Sequence, residues 1–289
     1  MKELLVLSGK GGTGKTSLTA SFVCLAEKCI ACDYDVDASN LPILLKPADS
    51  VGHEFSAGLT ANLDKDKCID CGLCRDLCRF EAISSEYEIS TLSCEGCGFC
   101  AEVCPVEAIE MQERPSGRWF ASRSYVNGKE IPLFFAELRP GEENSGMLVA
   151  KVKSAARQKA QEEGYPLLIS DGSPGIGCPV ISSLVETTLV VIVTEPSVSG
   201  FHDLKRVQEL LALRGVKSIL LINKADIDPE ASDAMEKWAR ECDIPCAGRL
   251  PYSSELAAAV SAGEVPVSRQ RLHDLILPVW ENIIQTLEK

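Results

Sequence analysis

The chain has 289 residues, with 29 Lys and Arg against 42 Asp and Glu and a formal net charge of −13. Apolar residues make up 45% and charged residues 25%, the proportions of a globular protein rather than a disordered or fibrous one. The acidic balance argues against a sequence-independent grip on nucleic-acid phosphates, which needs a dense Lys/Arg surface. No apolar run approaches the ~18 residues of a membrane span, and Met1-Lys2-Glu3 before Leu4–Leu7 lacks a signal peptide's cationic start and long apolar stretch. A cytoplasmic location is expected.

Leu4–Leu7 reads as a short strand. It runs into Ser8-Gly9-Lys10-Gly11-Gly12-Thr13-Gly14-Lys15-Thr16, then a helical stretch from Ser17 to about Glu27. Gly9-x4-Gly14-Lys15-Thr16 is a P-loop in its required setting between strand and helix. The glycines let backbone N–H groups turn toward an anion, and the helix N-terminus adds partial positive charge. Nucleotide-binding candidates are therefore Gly9, Lys10, Gly11, Gly12, Thr13, Gly14, Lys15, Thr16 and Ser17. Lys15 would neutralise the β- and γ-phosphates, and the Thr16 hydroxyl would sit on Mg²⁺.

Cys29–Cys32 reads as the second strand, closing on Asp33-Tyr34-Asp35-Val36-Asp37. Eight of the fourteen cysteines then fall in two runs, Cys68-x2-Cys71-x2-Cys74-x3-Cys78 and Cys94-x2-Cys97-x2-Cys100-x3-Cys104. The second run is the first displaced by 26 residues, and Glu81-Ala82-Ile83 recurs as Glu107-Ala108-Ile109. Thiolates three apart on a tight loop can converge on three corners of an iron–sulfur cube, while the fourth Cys begins the following helix and points to the other cube. The expected sets are Cys68, Cys71, Cys74 with Cys104, and Cys94, Cys97, Cys100 with Cys78. Zinc is the competing occupant, but two C-x2-C pairs suffice for it, and the x3 Cys and the duplication are then unexplained.

Further along, 118–125 and 131–138 alternate as two strands around Val126-Asn127-Gly128-Lys129, and Asn-Gly is a strong hairpin signal. A helix is expected to end near Gly164. Segments 166–171, 189–194, 217–223 and 244–249 read as strands with helices between, the rhythm of βαβ units on a mostly parallel sheet. Asp171 closes one strand before Gly172-Ser173-Pro174-Gly175, and Asn223 closes another. Ile276, Trp280, Ile283, Ile284 and Leu287 share one helical face. The opposite face carries Glu281, Asn282, Gln285 and Glu288 rather than the Lys/Arg of a membrane-surface helix, so core packing is expected and stable membrane binding is not.

Two resemblances follow from these residues. Residues 60–113 resemble the bacterial two-cluster ferredoxin module, departing from it in the first run, where Arg79 follows Cys78, whereas Pro105 follows Cys104 in the second. That departure places a cation beside one cluster. Lys10-Gly11-Gly12-Thr13-Gly14-Lys15-Thr16 resembles the deviant Walker A signature of the MinD/ParA/Mrp/nitrogenase iron protein class of P-loop ATPases. The resemblance implies an α/β fold with a mostly parallel P-loop NTPase sheet flanked by helices and a small inserted α+β ferredoxin-like domain. Its implied division is 1–59 and 114–289 for the ATPase, joined to 60–113 near Asp64–Asp70 and Arg114–Gly117.

The same resemblance implies an ATP- and Mg²⁺-dependent homodimer in which Lys10 reaches across to the partner's nucleotide. It implies catalytic roles for Lys10, Lys15 and Asp35, with Asp35 orienting water. Thr16, Asp33 and Asp171 would hold Mg²⁺; Asp37 is the rival among the switch aspartates. Asn223 would meet adenine and Pro251-Tyr252 would line the base. Two [4Fe–4S] clusters complete the cofactors, with a redox or metalloprotein client. The leading expectation is coupling of nucleotide state to electron transfer. The alternatives are an iron–sulfur or metal-cluster assembly factor and a MinD-like spatial organiser with redox-sensing clusters.

Six cysteines stand outside the module. Cys24, Cys29 and Cys32 fit small buried hydrophobes. Cys178 lies seven residues beyond Asp171, similar to the cluster-bridging Cys of the nitrogenase iron protein. Bridging needs two Cys per subunit, however, and none lies between Cys104 and Cys178. Cys242 and Cys246, spaced x3, do not match the C-x-x-C of Mrp-type carriers.

Overall fold

The computed structural model describes residues 1–126 and 128–289; Asn127, on which the Asn-Gly hairpin reading rests, lies outside the described residues. The strands are β1 (Lys2–Leu7), β2 (Cys29–Asp33), β3 (Pro47–Leu63), β4 (Ile109–Val126), β5 (Lys129–Leu138), β6 (Leu167–Asp171), β7 (Leu189–Thr194), β8 (Ser218–Ile222) and β9 (Cys246–Arg249). The helices are α1 (Lys15–Leu25), α2 (Leu41–Leu45), α3 (Leu73–Asp76), α4 (Phe99–Glu102) and α5 (Ser145–Glu163), then α6 (Cys178–Ser183), α7 (Val198–Arg214), α8 (Pro229–Glu241), α9 (Ser254–Ser261) and α10 (Gln270–Glu288).

Two compact units form from this chain. The first comprises Met1–His53, Trp119–Glu137 and Ser145–Lys289, the second Glu54–Arg118 and Leu138–Asn144. The strand order is β3-β4-β5-β2-β6-β1-β7-β8-β9. β1 lies between β6 and β7, parallel to both, and β2, β8 and β9 extend the parallel pairing. Every residue of β2, β6 and β7 is buried. Helices covering both faces explain why these strands read as unbroken apolar runs rather than alternating ones.

Helix α10 closes the core. Leu272, Ile276, Val279, Trp280, Ile283 and Leu287 are buried on it, Ile284 packs at the margin, and Trp280 stacks on Phe22 of α1 at 5.4 Å. No helix among the described residues is long and apolar enough to cross a membrane. The parallel strands place the loops after β1, β2, β6 and β8 at one edge of the sheet, where ligands of such folds bind.

Three local expectations are corrected. β3 was not anticipated, because Pro47–Leu63 buries only Phe55, Ala57 and Ala61 along 17 residues and so carries little apolar periodicity. β4 begins at Ile109, so the joint near Arg114–Gly117 is made of strand rather than loop, the change of unit falling just beyond it at Arg118–Trp119; Ser116 is fully buried and its hydroxyl donates to the Ala57 carbonyl at 2.9 Å. The third correction concerns the cysteines. Cys74 and Cys100, the third of each run, lie inside the one-turn helices α3 and α4, and Cys78 and Cys104 follow the helix ends instead of beginning helices. A left-handed Gly72 or Gly98 starts each turn early, and the Cys78 and Cys104 N–H groups close it on the Arg75 and Ala101 carbonyls.

The sequence duplication is also a conformational one. Left-handed φ occurs at Asp70 and Gly96, at Gly72 and Gly98, and at Glu81 and Glu107, each pair 26 apart. Ala82 with Ala108, and Ile83 with Ile109, are buried in matching places.

Candidate functional site

The phosphate-binding loop spans the gap between β1 and α1. Gly12 and Gly14 adopt φ of 81° and 90°, which an L side chain rarely tolerates. Gly14 is also crowded: a Cβ there would lie 2.5 Å from Asn223 Nδ2. Gly9 packs against α7, where a Cβ would meet Asp203 Cβ at 2.3 Å. Thr13 Oγ1 is buried without a hydrogen-bond partner, leaving an orphan donor in the loop. Gly11 is exposed and Ser17 is buried in the first turn of α1.

Asp171 at the end of β6 gathers the start of α1. Its Oδ1 takes Lys15 Nζ at 2.8 Å and Thr19 Oγ1 at 3.0 Å, and its Oδ2 takes Thr16 Oγ1 at 2.6 Å. Asp33 faces it across the β2–β6 register. Asp33 is wholly buried, and it accepts from the Asp35 N–H, the Ser39 hydroxyl and the Leu41 N–H at 2.9–3.0 Å. It thereby folds the segment between β2 and α2. Burial raises its pKa, the Asp171 charge adds to that, and Lys15 opposes it. Asp35 is half-buried; burial again raises its pKa, against Lys15. Asp37 is exposed.

Lys10 is held within its own chain. Its Nζ lies 2.7 Å from Glu195 Oε1 and donates to Ser197 and Ser199 at 3.2 and 3.0 Å, all in the segment after β7. The other Glu195 oxygen takes Lys224 Nζ at 2.8 Å. Burial works to raise the Glu195 pKa, but the two lysines outweigh it and hold it low. Lys224 also donates to the Gly12 carbonyl at 3.0 Å, and Asn223 Nδ2 donates to the Thr13 carbonyl at 2.7 Å. Asn223 Oδ1 accepts the Lys224 N–H, so both ends of that amide are engaged by the protein. Pro251 and Tyr252 are exposed and line a surface groove beneath the first turn of α10. Glu195 and Lys224 belong to no motif that spacing reveals; the one signal was the polar run Asn223-Lys224-Ala225-Asp226 directly behind an apolar strand.

In the second unit the thiols divide between two cavities. Cys78, Cys94, Cys97 and Cys100 line one of about 300 Å³, and Cys68, Cys71 and Cys104 line a narrower one, with Cys74 on the wall of both. Each fourth Cys thus stands with the other run. Arg79 is exposed and lines the larger cavity. The Ala108 N–H points at Cys104 Sγ at 3.2 Å. Burial tends to raise the Cys94 pKa, but N–H groups of Ala61 and Gly96, the Thr60 hydroxyl and the Arg114 charge together lower it. Arg114 is braced by Glu142 at 2.8 Å and by the Cys94 carbonyl at 2.9 Å. Among the described residues no three Cys, His, Asp or Glu side chains converge on a position for a single metal ion. Thiol-lined apolar cavities with inward N–H groups fit the chemistry of cluster ligation.

The comparisons with known proteins agree with both halves. A 4Fe-4S dicluster domain matches residues 61–111. The uncharacterized protein MJ0578 of Methanocaldococcus jannaschii is 38% identical over 225 residues, covering 77% of this chain and 78% of that one. The chain belongs to that family. The fold is the MinD/ParA one: a chain of the MinC:MinD cell division protein complex of Aquifex aeolicus superposes with a TM-score of 0.58 at 16% identity, over 99% of this chain and 96% of that one. MinD of Pyrococcus horikoshii OT3, solved with Mg-ADP, gives 0.56 at 17% identity over 98% and 95%. The family member is therefore a MinD/ParA-like P-loop fold carrying a 4Fe-4S dicluster domain.

The outlying thiols fall into two groups. Cys29 and Cys32 are buried in β2 and Cys24 is half-buried on α1. Cys178 is exposed at the start of α6 and Cys242 is exposed after α8, with Cys246 half-buried in β9.

Proposed function

We propose that the protein is an ATP-binding, slowly hydrolysing homodimer that couples nucleotide state to electron transfer through two [4Fe–4S] clusters. The observation that carries this reading is the crossed division of eight thiols between two cavities. Cavities each lined by thiols from both runs, five at the larger and four at the narrower with Cys74 common to both, suit clusters kept as resident groups better than clusters handed to a client, so electron transfer is favoured over cluster delivery. When bound, each cluster supplies a one-electron couple.

In this reading the residues around the P-loop exchange partners. Asp171 engages Lys15 and Thr16 directly; with MgATP bound, Lys15 would turn to the β- and γ-phosphates, and Thr16, Asp33 and Asp171 would hold the magnesium. Asp35, half-buried beside them, orients the attacking water. Asn223 and Pro251 bound the side where the base lies. Lys10 leaves Glu195 to meet the nucleotide of a second copy, where its charge stabilises the transferring phosphoryl group. The Mg-ADP complex of a structural relative supports a magnesium nucleotide as the ligand.

The test is an EPR-monitored redox titration of anaerobically purified protein with and without MgATP. A shift of 30 mV in a one-electron couple is about 0.7 kcal/mol, half the two-electron value. A shift beyond that is expected. Two clusters at unchanged potentials would overturn the coupling and turn attention to cluster transfer.

A further inference from the structure

The 26-residue repeat supplies a comparison within the molecule, since each position beside one set of thiols has a counterpart beside the other. Cys78 and Cys104 are counterparts, and the residues that follow them differ: Arg79 lines the larger cavity and Pro105 the narrower one. Asp70 and Gly96 are counterparts too. Asp70 Oδ1 lies 3.5 Å from Cys68 Sγ, and a cluster-bound thiolate has no proton to offer it, so charge then faces charge. Gly96 leaves that place bare in the second run, where a Cβ would meet the Leu59 carbonyl oxygen at 2.2 Å. The N–H groups of Gly96 and Ala61 are directed at Cys94, and Arg114, braced by Glu142, holds the Cys94 carbonyl at 2.9 Å. Glu95 is exposed on the wall of the larger cavity and acts against these cations. Arg75, beside the first run, is tied to Asp76 Oδ1 at 3.0 and 3.1 Å, which offsets its charge.

One-electron reduction adds a negative charge within a cavity. A nearby cation and N–H donors to sulfur stabilise that charge, and a carboxylate opposes it, most strongly at short range. The larger cavity has Arg79, Arg114 and the donors to Cys94, with Glu95 against them. The narrower one has the Ala108 N–H at Cys104, with Asp70 against Cys68. Both Arg79 and Asp70 therefore push the two sites apart in the same direction. We propose that the two clusters are unequal in potential, the one in the larger cavity taking the first electron, with Arg79 and Asp70 setting the gap. Electrons then run downhill from the narrower cavity to the larger. The proposal rests on the reading of two resident clusters and is independent of any coupling to nucleotide.

The experiment is an EPR-monitored redox titration of the anaerobic holoprotein without nucleotide, repeated on Arg79→Gln and Asp70→Asn with iron content measured for each. Asn accepts the left-handed φ of 53° at position 70, so the second variant changes charge and little else. Two one-electron steps are expected, at least tenfold apart in equilibrium constant, which is 59 mV. Repulsion between two reduced clusters would also separate the steps, so the variants carry the assignment. Arg79→Gln is expected to lower the upper step at least threefold and the lower step by less than half as much. Asp70→Asn is expected to raise the lower step at least threefold, narrowing the gap from the other side. A single step in which both clusters titrate together would overturn the inequality. Two steps that neither variant moves would overturn the roles of Arg79 and Asp70. An Arg79→Gln protein in which the lower step moves would overturn the order of reduction. Iron for fewer than two clusters in the unaltered protein would overturn the reading of resident clusters together with this one, whereas failure of MgATP to shift either step would leave this one standing.

Discussion

Lys10 and Glu195 form a 2.7 Å ion pair inside one chain, so the lysine proposed to act across a dimer is first held by the segment after β7 of its own chain. Dimer formation then competes with this contact. Lys10→Ala is expected to abolish MgATP-stimulated dimerisation while leaving the brown chromophore intact. Glu195→Gln, which weakens the restraint, is expected to lower the MgATP concentration for half-maximal dimerisation several-fold. Sedimentation velocity reads both, and an unchanged profile for Lys10→Ala would reject the role of this lysine.

Cys100 lines the 300 Å³ cavity with Cys78, Cys94 and Cys97. Cys100→Ser is expected to remove about one cluster's iron and leave nucleotide binding unaffected. Iron analysis with a nucleotide-binding assay checks this. Loss of both clusters would show that the unit folds only when fully metallated.

Legibility followed the chemistry. The P-loop and the eight cysteines could be read because phosphate binding and cluster ligation dictate residue type and spacing, and β2, β6 and β7 because burial on both faces leaves apolar runs. The contacts of Lys10 could not: Glu195 lies 185 positions away and acquires meaning only when β7 lies beside β1. Asp33 illustrates the same limit. The sequence offered it for the metal side by its place after β2, and could not show that it is a buried acceptor that folds the loop to Leu41. β3 stayed hidden because its stabilisation comes from neighbouring strands and leaves almost no apolar pattern.

Gly14 is constrained by both conformation and space. With φ at 90° and Asn223 Nδ2 2.5 Å from any Cβ, Gly14→Ala is expected to cost about 1–3 kcal/mol of stability from crowding alone and to weaken nucleotide binding at least tenfold. Urea denaturation and equilibrium binding separate the two effects.

Cys29 and Cys32 stay protonated because burial pushes each thiol up to about 12. Iodoacetamide is expected to alkylate Cys178 and Cys242 in the native protein and to spare Cys29 and Cys32, as peptide mass spectrometry would show. The sign of the pH effect follows. Below pH 9 both folded and unfolded thiols are protonated and the contribution is complete; between 9 and 12 only the unfolded chain ionises. Stability is expected to fall on the order of 1.4 kcal/mol per thiol for each pH unit in that window, which urea melts at pH 8 and pH 10.5 would detect.

Lys153 and Glu3 form a buried pair at 2.7 Å, with Lys153 also donating to the Ser183 carbonyl. Burial lowers the Lys153 pKa and Glu3 opposes that. Arg157 also reaches Glu3 at 3.0 Å, so Lys153→Met leaves the carboxylate with one of its two partners and is expected to cost less than the about 3–5 kcal/mol of a fully broken buried pair, whereas Lys153→Met with Glu3→Gln recovers much of it. Equal losses in single and double variants would deny the coupling.

The 26-residue repeat has a further consequence. Cys78 stands on the wall shared with the second run and Cys104 on the wall shared with the first, so each half completes its sibling's cavity in the manner of an exchanged arm. Neither half encloses four thiols by itself. Such an arrangement is what results when two identical short peptides, paired about a twofold axis, are fused end to end. Severing the chain between Glu81 and Ser93 would return the module to that bimolecular condition, with iron retention dependent on protein concentration.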